Sequence, residues 1–285
     1  MQRNTTDYSA PEFDIGGLQV PLWPRLAHFG LDAFETLSHR IGSLDPSFAE
    51  WQKALILAGS APYLRFLNFI TGASDHEIIS ALIDFHEDTK YHETMVQPLT
   101  DLDQIDNAGD LRFHSITLYV ITRLIRPSTV IETGVAHGKS SASILLALRH
   151  NRRGRLISID LRPSSNVPLA DGSKTTLGGR GVGWLVPDYL RSRWELHDGD
   201  SLTFLSYPER MNFGENEKCD FFIHDSLHTF EHTSKELDAV SAYLAENAVV
   251  AVDNSEMASG RAFSEFLKQN SLIGASFRDF AATRT

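Results

Sequence analysis

A single cysteine, Cys219, stands among the 285 residues, so no internal disulfide can form. That absence suits a reducing cytoplasm, which is the expected compartment. Basic residues are also in short supply: 26 Lys and Arg face 37 Asp and Glu, a formal net charge of −11 with His neutral. A nucleic-acid binder needs a basic face, and no Lys/Arg block supplies one here. Nucleic acid is therefore not the expected partner, and a small molecule is favoured. Long apolar runs are missing as well. Aliphatic stretches such as 248–252 fall far short of the roughly 18 residues that span a bilayer, so no membrane association is expected. The N-terminal MQRNTTDYSAPEFDIGG also lacks the basic-then-apolar pattern of a signal peptide. What remains is an ordinary globular composition, 42% hydrophobic and 22% charged, with ample material for a core.

Three stretches differ in pattern. Residues 1–22 are polar, with Pro11, Gly16 and Gly17, and read as a flexible arm. Residues 23–110 carry apolar side chains at helical spacing: Leu31, Phe34, Leu37 and Ile41, then Trp51, Leu55 and Ile56, then Ile78, Ile79, Leu82, Ile83 and Phe85. Pro62 and the 71–75 stretch punctuate this section, and Ser74 or Asp75 followed by Glu77 resembles a helix start. From 111 to 285 short β-branched runs alternate with helical ones, which predicts a doubly wound α/β domain: a mostly parallel, Rossmann-like sheet with helices on both faces. Strands are expected at 129–132, 156–160, 194–197, 221–224 and 248–253. Helices are expected at 112–126, 139–150, 230–245 and 258–269.

Open parallel sheets bind ligands beyond the carboxyl ends of their strands, so the residues there matter most. The first strand runs into Glu132-Thr-Gly134-Val-Ala-His-Gly138-Lys-Ser140 and then a helix. Gly134 and Gly138 allow a tight turn, and the helix N-terminus with the Ser140 hydroxyl can receive an anionic group. A plain structural turn is the competing reading. The second strand ends in Asp160, an acid suited to a ribose diol or, more modestly, to capping a turn. The loop lacks the third glycine of a dinucleotide fingerprint, and the glycines are one residue too close for a nucleotide-triphosphate loop. The fourth and fifth strands end in Asp225-Ser-Leu-His228 and Asp253-Asn254. Three oxygen ligands converging there would suit Mg²⁺, and His228 is placed to act as a general base. Alternatively, Asp225 and His228 cap the helix that follows.

Taken in order, Glu-Thr-Gly-Val-Ala-His-Gly-Lys-Ser (132–140), Ser-Ile-Asp-Leu (158–161), His-Asp-Gly-Asp-Ser (197–201), His-Asp-Ser-Leu-His-Thr-Phe-Glu (224–231) and Val-Asp-Asn (252–254) resemble the motifs of class I S-adenosylmethionine-dependent methyltransferases. The likeness covers about residues 111–270 and is narrowest with the bacterial small-molecule O-methyltransferase-like group that carries Asp-x-x-His-x-Tyr/Phe-Glu. It implies that Glu132, Gly134 and Gly138 surround the methionine part of S-adenosylmethionine, with Ser140 on its carboxylate. It implies Asp160 on the ribose, and Gly199, Asp200 and Ser201 beside the adenine. Asp225, Asp253 and Asn254 match the divalent-metal ligands of catechol-type enzymes, with Asp225 also bordering the cofactor. His228 falls where those enzymes place a lysine base. The implied activity is methylation of a small-molecule acceptor, on oxygen. Metal-independent methylation of nitrogen or a carboxylate, or a non-catalytic cofactor-binding partner subunit, are the alternatives.

Other parts carry weaker expectations. The glycine-rich segment 162–192, with Lys174 and Trp184, reads as a substrate lid or an inert surface excursion. After the last helix only 271–285 remain, enough for one strand but scarcely for a closing antiparallel pair, so either the final strand is missing or another chain covers that edge, and a homodimer is expected. Phe34, Trp51, Tyr63 and Phe66 line an acceptor pocket or belong to the core. His86, His92, His137 and Lys139 are expected to be exposed and structural, His114 to face the cofactor or a packed surface, and Cys219 to be a buried small hydrophobe.

Overall fold

The computed structural model describes residues 61–105, 114–161, 177–214, 216–277 and 279–285. The expected arm at 1–22, the helical pattern through residue 60, the 162–176 stretch with Lys174, and the side chain of His114 lie outside the described residues. Three helices come first: α1 (Ala61–Thr71), α2 (Asp75–Glu87) and α3 (Thr89–Ile105). Helix α2 starts as the Ser74/Glu77 spacing predicts. Ser74 Oγ accepts from the Glu77 N–H, and the Glu77 carboxylate accepts from the Ser74 N–H at 2.8 Å.

Strands and helices then alternate: α4 (His114–Ile125), β1 (Thr129–Thr133), α5 (Lys139–Asn151), β2 (Arg155–Asp160), β3 (Trp194–Asp198), α6 (Ser201–Ser206), β4 (Cys219–His224), α7 (Phe230–Ser241), β5 (Leu244–Val252), α8 (Ala258–Gln269), β6 (Gly274–Phe277) and β7 (Phe280–Arg284). They form one seven-stranded sheet in the order β3-β2-β1-β4-β5-β7-β6. The first five strands are parallel, and β7 runs antiparallel between β5 and β6. The mostly parallel, doubly wound fold expected from the sequence is therefore present.

Period-two alternation divides the strand side chains between two cores. Val130, Leu156, Phe221, Ile223, Val249 and Ala251 face α1–α5 on one side. Ile131, Ile157, Ile159, Phe222, Val250 and Val252 face α6–α8 on the other. Helices α1–α3 share the first core directly: Tyr63 and Phe66 of α1 pack against Phe277 of β6 with ring centroids 5.0 and 6.3 Å apart, and both are buried. Tyr63 and Phe66 are thus core residues and not pocket lining.

Several expectations need correction. The chain end is long enough for both closing strands, because β6 and β7 pair through the tight Phe277↔Phe280 register and need only short strands. A second chain is not required to cover β5, although β6 still presents an edge. The helix expected at 230–245 stops at Ser241, and β5 begins at Leu244. Asn247 in left-handed conformation (φ 64°) and a register shift between Cys219 and Phe221 let β5 start early, across residues that do not look like a strand. His86 and His137 are buried, not exposed. Cys219 is buried as expected, and burial raises its thiol pKa.

Candidate active site

Hydrogen bonds continue across the sheet one residue past the strands. Gly199 N–H donates to Asp160 O, Gly134 N–H to Ile159 O, Asp225 N–H to Thr133 O, and Asp253 N–H to His224 O, each at 2.9 Å. These bonds align Gly199, Asp160, Gly134, Asp225 and Asp253 along the carboxyl edge of five adjacent parallel strands. The residues singled out from the sequence thus share one rim, where an open α/β sheet leaves its crevice.

On the first-strand side the turn is built tightly. Gly134 (φ 83°) passes so close beneath β4 that a Cβ there would lie 1.9 Å from the Asp225 carbonyl oxygen. Gly138 (φ 89°) starts α5 and, having no side chain, makes no side-chain cap hydrogen bond there. Glu132 is completely buried beneath the turn and accepts from Ser140 Oγ (2.6 Å), Ser141 Oγ (2.6 Å) and Ser158 Oγ (2.7 Å). Burial raises its pKa, against the lowering effect of the three serines. Glu132 thus shapes the Gly134–Gly138 turn from below. Because the Ser140 hydroxyl proton goes to Glu132, what Ser140 offers a ligand carboxylate is its main-chain N–H.

Asp160 braces the same turn from the side: its Oδ2 accepts from Val135 N–H (2.8 Å) and Ala136 N–H (2.6 Å). Burial raises its pKa, opposed by these main-chain donors. Asp200 caps α6, accepting from Thr203 N–H at 2.9 Å, and Ser201 donates to Glu236. The described part of the β2–β3 connection also closes on the turn. Gly183 N–H donates to Ala136 O and Leu185 N–H to His137 O, both at 2.9 Å, while the Trp184 indole N–H donates to His137 Nδ1 at 2.9 Å. Arg180 stacks over Trp184 at 4.0 Å and reaches Asp101 of α3 at 2.6 Å. This segment is a strap on the Gly134–Gly138 turn.

Past the ends of β4 and β5, Asp225, His228 and Asp253 bring one ligand atom each within 4.8 Å of one another. Ligands on opposite sides of an octahedral Mg²⁺ at about 2.1 Å lie about 4.2 Å apart, so a spacing bounded by 4.8 Å marks a candidate cation site and not a closed coordination shell. His228 Nε2 is 3.7 Å from Asp225 Oδ1. Asn254, next to Asp253, adopts a left-handed backbone conformation (φ 51°) and donates from Nδ2 to Met257 Sδ at 3.2 Å.

One further cluster carries no motif in the sequence. Glu236 of α7, fully buried, receives His224 Nδ1 (2.7 Å), His232 Nε2 (2.9 Å), Thr133 Oγ1 (2.7 Å), Ser226 Oγ (2.9 Å) and Ser201 Oγ. Burial opposes its charge, but the hydrogen bonds and charges of His224 and His232 prevail and hold the carboxyl far below the usual range. The four-residue spacing of His232 and Glu236 was the available signal.

Residues 131–255 match the family model described as "Methyltransferase domain". No curated protein sequence matches the chain. Among solved structures, similarity extends to an O-methyltransferase from Bacillus cereus in complex with SAH (12% identity, 78% of this chain and 96% of that one, TM-score 0.47). It extends also to the O-methyltransferase TomG from Streptomyces achromogenes in complex with SAM (17%, 70% and 90%, 0.45) and to a methyltransferase from Geobacter sulfurreducens (18%, 67% and 87%, 0.45). The matched segment runs from β1 to just past β5, and this part of the chain is similar to a methyltransferase domain.

Proposed function

We propose that the chain transfers a methyl group from S-adenosylmethionine to an oxygen of a small-molecule acceptor, with His228 as general base and a divalent cation such as Mg²⁺ held by Asp225, Asp253 and Asn254. The observation that carries this reading is the meeting of Asp225, His228 and Asp253 on the same rim as the Gly134–Gly138 turn and Asp160. When bound, S-adenosylmethionine supplies an electrophilic methyl group and leaves as a neutral thioether, and a divalent cation would acidify the acceptor hydroxyl.

The protein's own part is alignment and proton removal. The turn and the α5 N-terminus seat the cofactor carboxylate, Asp160 borders the ribose, and Gly199, Asp200 and Ser201 border the adenine. His228 takes the acceptor proton, and the neighbouring Asp225 carboxylate favours the imidazolium that results. His228 also lies within the ligand-spaced group, which supports a second reading in which it ligates the cation and leaves the proton to water.

Calorimetry with S-adenosylhomocysteine on the wild type and on Asp160→Ala, each with Mg²⁺ and with chelator, tests the cofactor site. Micromolar binding weakened at least tenfold by the substitution is expected; no binding under any condition overturns the reading. Alanine at His228 is expected to cut turnover by about 10²–10⁴-fold. Retained metal affinity in that variant identifies a base, lost affinity identifies a ligand, and full turnover refutes both.

A further inference from the structure

We propose that Glu236 is a positioning residue that holds the Asp225–His228 loop against the cofactor half of the cleft; this rests on the reading just given. Its carboxylate touches neither rim nor solvent, yet its five partners come from both halves. Thr133 ends β1 immediately before Gly134, and Ser201 follows Asp200 at the start of α6. His224 ends β4 immediately before Asp225, and Ser226 follows it in the loop. His232 ties the same carboxylate to α7, the helix that leaves the loop.

The geometry extends to His228. The His224 ring meets the His228 ring edge-on, with centroids 5.7 Å apart and planes at 89°. The far side of His224 is fixed too, its Nε2 lying 3.0 Å from Thr233 Oγ1. Glu236 thus sets the His224 ring plane, and that ring is one wall of the space His228 occupies. Buried, ionised and fully hydrogen-bonded, such a hub has one low-energy arrangement, since leaving any one of its donors unmade exposes a desolvated polar group. A loop carrying two reacting-site side chains needs this kind of restraint, because displacements of about 1 Å in aligned groups cost orders of magnitude in rate.

The test uses the full chain carrying Glu236→Gln, which keeps the shape but removes the charge, and Ser226→Ala, which frees the loop while leaving both histidine contacts of Glu236 in place. In each folded variant the affinity for S-adenosylhomocysteine should stay within about threefold of wild type. The kcat for methyl transfer should fall at least tenfold in Glu236→Gln and about threefold in Ser226→Ala. Each loss should be non-additive with His228→Ala, as expected of groups acting through one another. Amide hydrogen exchange should rise at 225–229 but not at 249–252, a readout independent of turnover. Should Glu236→Gln not fold, Ser226→Ala carries the same predictions. Additive losses, unchanged kcat in a folded variant, or unaltered exchange at 225–229 overturn the proposal. Absent wild-type turnover with the exchange change present counts against the proposed reaction and not against the restraint.

Discussion

Two glutamates buried beneath the same sheet rim behave oppositely, because their partners differ in charge. Glu132 is met by three neutral hydroxyls, which do not offset the loss of water, so its pKa is raised. Glu236 is met by two imidazoles as well as hydroxyls, so its pKa is lowered. The signs for stability follow. A raised carboxyl contributes fully below its unfolded pKa, near 4.3, and loses that contribution as pH climbs through the folded value. A lowered one contributes fully above about 4.3 and loses that contribution as pH falls. Removing one partner of a buried ion pair costs roughly 3–5 kcal/mol, so Glu236→Gln should be clearly less stable than wild type near pH 6. That gap should narrow as pH is lowered from 6 to 3, as read from denaturant unfolding at each pH; a gap constant with pH would show that Glu236 is not ionised in the fold. Of this pair, only Glu132 was singled out from the sequence, since it sits beside a glycine turn. Glu236 lies mid-helix among polar residues, where its pattern is that of any solvated helix face.

At the scale of elements, turn chemistry was legible and boundaries were less so. Glycine at 134 and 138 predicted a tight strand-to-helix turn, and both adopt positive φ. Ser74 and Glu77 marked the start of α2. The end of α7 was misplaced because Ala242 and Tyr243 prolong an apolar pattern that a register irregularity in β5 ends. The β2–β3 connection read from its length as a lid or an inert surface excursion, and its described part is held by main-chain bonds to Ala136 and His137, partners remote in sequence. The turn yields the element-level prediction. A methyl group at 134 would meet the Asp225 carbonyl in a backbone conformation that L side chains rarely adopt. Gly134→Ala is therefore expected to lose about 2–4 kcal/mol through strain and overpacking, and to weaken S-adenosylhomocysteine binding. Denaturant unfolding and calorimetry check it, and a wild-type midpoint would contradict the close approach.

For the whole molecule, the terminal hairpin closes both cores at once. Ala281, Ala282 and Thr283 of β7 pair with the buried Val250–Val252 of β5. Phe277 and Phe280 pack against Tyr63 and Phe66 of α1, which stand more than two hundred residues earlier. Removing residues 274–285 should uncover a long apolar β5 edge and the underside of α1 together. The truncated chain is expected to be insoluble or to lack a cooperative thermal transition by circular dichroism. A soluble truncated protein with the wild-type melting temperature would show that the hairpin is dispensable.

The order of motifs was enough to determine the α/β class, the parallel strands, and the rim positions of Asp160, Asp225 and Asp253, because period-two runs and strand-end residues are local patterns. Only the tertiary structure decided what those side chains touch. Glu132 lies beneath the turn and not in the cleft, Ser140 gives its proton to Glu132, and Glu236 gathers donors from β1, α6, β4 and α7. The reason is physical: a buried carboxylate must find its donors wherever the packed elements place them, and sequence distance carries no record of that placement.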